Sequence, residues 1–64
     1  MREYYEVQSA FYDDGRVIAN IMNVVKGNRK PKPRNAVLKR CDVYYDYFSR
    51  YEDAMKFVED ARRA

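Results

Sequence analysis

Two runs of period-two alternation flank the pentapeptide YDDGR, and this arrangement constrains the fold more than any other feature of the chain. From Tyr4 to Phe11, the residues Tyr5, Val7, Ser9 and Phe11 alternate with Glu6, Gln8 and Ala10, the pattern of a half-buried strand. Gly15 supplies the positive φ that closes a hairpin, and RVIANIMNVV, rich in Val and Ile, reads as the returning strand. Two registers compete. A two-residue turn at Asp14 and Gly15 opposes Phe11 to Ile18 but also Gln8 to Ile21, which mixes the faces. A three-residue loop of Asp13, Asp14 and Gly15 pairs Phe11 with Val17, Ser9 with Ala19, Val7 with Ile21 and Gln8 with Asn20. The second separates polar from apolar residues better and is the expected one.

Beyond the hairpin, residues 26–36 carry Gly27, Asn28, Pro31 and Pro33. Proline cannot donate to a strand ladder and biases its predecessor toward extended backbone, so this stretch reads as a long basic loop. A third strand is expected at roughly Leu38 to Tyr47, where Cys41, Val43, Tyr45 and Tyr47 alternate with Arg40, Asp42, Tyr44 and Asp46. The closing SRYEDAMKFVEDARRA predicts a helix from about Arg50 to Arg62. Ser49 and Glu52 have capping-box spacing, and Tyr51, Ala54, Met55, Val58 and Ala61 form an apolar stripe with Phe57 beside it. Glu52 with Lys56 and Glu59 with Arg63 stand in the favourable i,i+4 order.

These elements assemble most simply as one small α+β domain over residues 1–64: a three-stranded antiparallel sheet followed by one C-terminal helix packed on one face (βββα). The expected inner face holds Tyr5, Val7, Phe11, Val17, Ala19, Ile21, Val43 and Tyr45. The other face then carries Tyr4, Tyr12, Ile18, Met22, Val24 and Tyr44, and a single helix leaves it uncovered. A chain of 64 residues hides only about 60% of the surface that its unfolded form exposes, so a homodimer or a partner is a natural source of further burial. With 47% hydrophobic and 16% aromatic residues the composition is that of a folded domain.

Charge is unevenly placed. No acidic residue lies between Asp14 and Asp42, while Arg16, Lys26, Arg29, Lys30, Lys32, Arg34, Lys39 and Arg40 fall there, so the net charge of +3 conceals a basic middle and acidic ends. The basic segment Lys26, Arg29, Lys30, Lys32, Arg34, Lys39 and Arg40 has three readings. It can neutralise nucleic-acid phosphates, contact an acidic protein surface, or serve only as a soluble connection that protects a sheet edge. Tyr4, Tyr12, Ile18, Met22 and Tyr44 on the uncovered face form a second candidate surface, because tyrosine is enriched where proteins meet.

The residues argue against an enzyme. Histidine is absent and Cys41 is the single cysteine, which removes Cys-His and Ser-His nucleophiles, disulfide frameworks and mixed Cys/His metal sites. The carboxylate pairs Asp13/Asp14, Glu52/Asp53 and Glu59/Asp60 lie in a turn and on a helix exterior, where solvation and capping explain them. No glycine-rich phosphate loop is present, and no cofactor is expected. The start MREYYEVQ holds carboxylates where a signal peptide needs an apolar run, and no segment approaches the roughly 20 apolar residues of a membrane span. The expectation is a cytoplasmic protein with no membrane association.

The hairpin YYEVQSAFYDDGRVIANI and the closing YYDYFSRYEDAMKFVEDAR together resemble short proteins encoded by phages and mobile elements of Gram-positive gut bacteria, a group in which anti-CRISPR proteins occur. The resemblance leaves out the basic loop and rests on structural motifs. It implies a small non-enzymatic protein that binds a host factor in the bacterial cytoplasm, and it assigns no functional residue. The leading expectation is an anti-CRISPR inhibitor that binds a Cas effector such as Cas9, alone or in its nucleic-acid complex. The alternative is a small regulatory nucleic-acid-binding protein using residues 26–40.

Overall fold

Phe11 pairs with Val17, Ser9 with Ala19, Val7 with Ile21 and Gln8 with Asn20, the register of a three-residue hairpin loop. The computed structural model describes residues 1–63. They form β1 (Arg2–Tyr12), β2 (Val17–Gly27), β3 (Arg34–Val37), β4 (Cys41–Phe48) and α1 (Tyr51–Arg62). The architecture is α+β, with an antiparallel sheet of four strands, where three were expected, in the order β2-β1-β4-β3.

The hairpin turn is built by short-range bonds. The Tyr12 N–H donates to the Arg16 carbonyl at 2.9 Å and the Gly15 N–H to the Tyr12 carbonyl at 3.0 Å. Asp14 accepts from the Arg16 N–H at 3.0 Å and from its guanidinium at 2.8 Å. Those contacts, the backbone N–H first, hold the Asp14 carboxyl below its ordinary pKa. Its small contribution to stability is therefore present at neutral pH and fades as pH falls through that lowered value. Gly15 has φ of 92°, and nothing lies within 4 Å of where a Cβ would stand. Gly15→Ala is thus expected to lower stability by about 1 kcal/mol through backbone strain alone, visible as a reduced denaturant midpoint at unchanged slope.

The additional strand, Arg34–Val37, takes its first three residues from the segment expected to be loop. It begins directly after Pro33, the last residue unable to donate, and the Leu38 N–H to the Cys41 carbonyl at 2.8 Å closes its hairpin with β4. All four of its residues are exposed. An edge strand that buries nothing needs no apolar alternation, so sequence periodicity leaves no trace of it.

Opposed residues on neighbouring strands share a face. The β1–β4 register sets Tyr5 against Phe48, Val7 against Asp46 and Ser9 against Tyr44, so Tyr44, Asp46 and Phe48 join the helix side. Val43, Tyr45 and Tyr47 lie on the opposite side with Ala10, Gln8 and Glu6. This inverts the expected phase of β4 and removes Val43 and Tyr45 from the inner face. The inversion brings Phe48 onto Phe57 of α1, with ring centroids 5.3 Å apart, and carries the Tyr47 hydroxyl to Glu6. A register shift at Glu6/Val7 leaves Met22 as an extra residue in β2 and turns Val24, opposite Tyr5, toward the helix side.

The core is Val7 and Ala19 from the sheet against Ala54 and Val58 from α1, with Tyr5, Ile21, Phe48, Phe57 and Ala61 around them. Fully burying each valine is worth roughly 1.5–3 kcal/mol. Tyr51, expected in the stripe, is half exposed and meets Tyr5 edge to face at 5.6 Å. The expected capping box does not form: Arg50 is the N-cap, without a side-chain cap bond. The helical ladder opens with the Ala54 N–H to the Arg50 carbonyl, which places Glu52 one position too early to reach back, and Glu52 instead lies 3.8 Å from Arg50. At the other end Arg62 donates to the Ala19 carbonyl at 3.1 Å and to Asn20 at 2.9 Å, tying α1 to β2. The helix packs most against β2 and least against β4.

Candidate interaction surfaces

Residues 28–33 must carry the chain from the β2 edge to the β3 edge, across β1 and β4. Three strand spacings of ~4.8 Å make about 14 Å across the sheet, and Gly27 and Arg34 stand at the levels of Arg2 and Gln8, roughly 20 Å apart along it, so the connection is nearly taut. Pro31 and Pro33 suit that extension. On the helix-free side Tyr4, Glu6 and Tyr47 are all buried. No strand or helix covers that side, which leaves the crossing connection as the element available to cover it.

The basic residues therefore do not make one patch. Lys26 is the penultimate residue of β2, and exposed Arg29, Lys30 and Lys32 follow in the crossing, which starts at the end of the sheet where Arg2 of β1 opposes Gly27. Lys39 and Arg40 occupy the β3–β4 turn at the other end of a molecule 40 Å long. There the Asp13 N–H donates to the Arg40 carbonyl at 3.0 Å, so Asp13 and Asp14, the latter paired with Arg16, share the neighbourhood and dilute the positive charge. Arg34 lies between the two groups. Its guanidinium stacks 4.5 Å from the Tyr45 ring centre and 4.0 Å from the Glu6 carboxylate. The Tyr47 hydroxyl first, and Glu6 to a lesser degree, raise its pKa above the ordinary value.

The tyrosine-bearing set is likewise divided. Tyr4 is buried, and Tyr44 stands on the helix side against Phe11 at 5.7 Å, edge to face. Tyr12 and Ile18 remain on the helix-free face, the former with the Arg16 guanidinium 4.8 Å from its ring centre, while Met22 is the half-exposed bulge residue. What stays at least partly exposed on that face is the rim of its upper half, Tyr12, Ile18 and Cys41 at one end and Gln8, Asn20 and Tyr45 at its middle, around buried Ala10 and Val43.

A polar network divides the open half from the covered half. Glu6 accepts from the Tyr47 hydroxyl at 2.7 Å and from the Asn23 amide at 3.3 Å, and the Gln8 amide donates to the Tyr45 hydroxyl at 3.2 Å. Sequence reasoning did not single out Glu6, Gln8, Asn23, Tyr45 or Tyr47 as a group. The available signal was Glu6 itself, a carboxylate between Tyr4 and Gln8 on one strand face. Comparison with protein families, curated proteins and solved structures finds no match to this chain.

Proposed function

We propose that this chain is a non-catalytic interaction protein of phage or mobile-element origin, and that it inhibits a CRISPR effector such as Cas9 by occupying the effector's surface. The class of activity is supported by the open upper half of the sheet. Tyr12, Ile18 and Tyr45 there offer apolar area, and Arg16 and Arg34, laid on tyrosine rings, offer pre-positioned charge. Such rigid aromatic and arginine side chains are the usual anchors of protein interfaces. The target rests on the resemblance of the hairpin and the closing segment to phage-encoded proteins.

One observation favours a second reading, a nucleic-acid-binding protein: Lys26, Arg29, Lys30 and Lys32 gather toward one end, with Arg2 nearby. The two readings separate in one pair of variants. Tyr12→Ala with Ile18→Ala is expected to weaken inhibition of guide-loaded effector at least tenfold, as loss of about 1.4 kcal/mol or more of contact requires. Removing Lys26, Arg29, Lys30 and Lys32 together, with Arg34 kept, flattens the salt dependence of nucleic-acid binding instead. Inhibition that survives the first change and disappears with the second overturns the sheet-face reading.

A further inference from the structure

We propose that the cleft between α1 and the helix side of β4 receives an arginine side chain from a partner protein. Because α1 sits toward β2, a depression of about 360 Å³ remains beside it, lined by Ser9, Phe11, Tyr44, Asp46 and Phe57. Three features of different kinds meet there. Phe11, Tyr44 and Phe57 offer aromatic surface of the sort on which a flat cation stacks. Asp46 is the only charged group of the lining. The Ser9 hydroxyl oxygen is the one buried side-chain polar atom among the described residues without a hydrogen-bond partner, in a residue 1% exposed.

An unpartnered buried hydroxyl costs on the order of 1–3 kcal/mol, and an incoming N–H group relieves it by giving the oxygen a donor. Arginine fits all three features at once: its plane stacks, two of its N–H groups match a carboxylate, and others remain for a hydroxyl. A lysine ammonium is a hydrated point charge and meets only the carboxylate. Charge complementarity points the same way, since Asp42 and Asp46, with Tyr44 and Phe48, are the β4 residues that face this side of a net-positive chain. Partial burial already raises the Asp46 pKa, and the Lys30 charge opposes that only in part. A bound guanidinium adds to the counter-charge that Lys30 supplies.

This inference rests on the reading of the chain as an interaction protein and not on which partner it meets. The test uses the isotopically labelled full chain, titrated with N-acetyl-arginine amide and, in parallel, with the uncharged isostere N-acetyl-citrulline amide. Amide resonances of Ser9, Phe11, Tyr44, Asp46 and Phe57 are expected to shift with arginine in the millimolar range, and roughly tenfold more weakly with citrulline. Asp46→Asn should bring arginine down to the citrulline level, and Ser9→Ala should weaken it by a smaller factor. Equal shifts from both compounds, or arginine shifts spread equally over Glu59, Asp60 and other exposed carboxylates, would overturn the proposal. The wild-type comparison decides even if a variant folds poorly. No effector takes part, so failure here is distinct from failure of the CRISPR reading.

Discussion

Val7→Ala is expected to lower the unfolding free energy by about 2 kcal/mol, a large share of the ~3–5 kcal/mol that a core this small supplies. Val7 is fully buried at the centre of the core, between the β2 residue Ala19 and the helix residues Ala54 and Val58. Ala19 and Ala54 carry no side chain long enough to fill the space left behind, so the cavity persists rather than collapses. At ~4–8 °C per kcal/mol for a domain of this size, the melting temperature should fall by more than about 8 °C. Val37, 75% exposed on the edge strand β3, is the control, and Val37→Ala should stay within ~0.5 kcal/mol of the parent. Equal effects at the two positions would mean that α1 does not pack where it is described.

Glu6→Ala is expected to cost roughly 2–3 kcal/mol, more than most charged residues on a sheet face without a helix. The carboxylate accepts from Tyr47 and Asn23 and faces Arg34, so its removal leaves the buried Tyr47 hydroxyl without an acceptor. Tyr47→Phe removes one of those bonds together with its donor and should cost about 1–1.5 kcal/mol. The double variant should cost less than the two changes added together, because both act on one network. Chemical denaturation of all four proteins gives the cycle. Strict additivity would show that Glu6 and Tyr47 act independently and that the network is a static arrangement without energetic coupling.

The parts of this fold that were legible in the sequence are those in which burial and local chemistry agree. The hairpin register followed from separating Phe11, Ser9 and Val7 from Gln8, and the helix followed from Ala54, Val58 and Ala61. The phase of β4 was not legible. Val43, Tyr45 and Tyr47 form the more apolar of its two sets, and the natural inference places that set against the helix. In the fold the same residues face the other side, where Tyr45 and Tyr47 find Gln8 and Glu6 as hydrogen-bond partners. A tyrosine satisfies a core and a polar network equally well, so the alternation of this strand carries little information about which side is which.

The candidate surfaces suffered from the same ambiguity, since Tyr44 changed sides with its strand and Tyr4 lies buried on the helix-free side. Nor is the basic segment the continuous patch that its run in sequence suggests. A strand of four exposed residues carries its cations from one end of the sheet toward the other, and chain neighbours such as Arg34 and Lys39 end at different places. The cleft of Ser9 and Asp46 depends on how far α1 is displaced toward β2, which no local pattern encodes.

The measurement that bears most directly on the proposed activity is affinity capture of the tagged protein from lysate of a bacterium carrying its own CRISPR system, with and without nuclease treatment. The expected result is retention of a Cas effector in stoichiometric amount, unchanged by digestion. Recovery of nucleic acid alone, lost on digestion, would contradict the inhibitor account and make the basic end of the molecule its working surface.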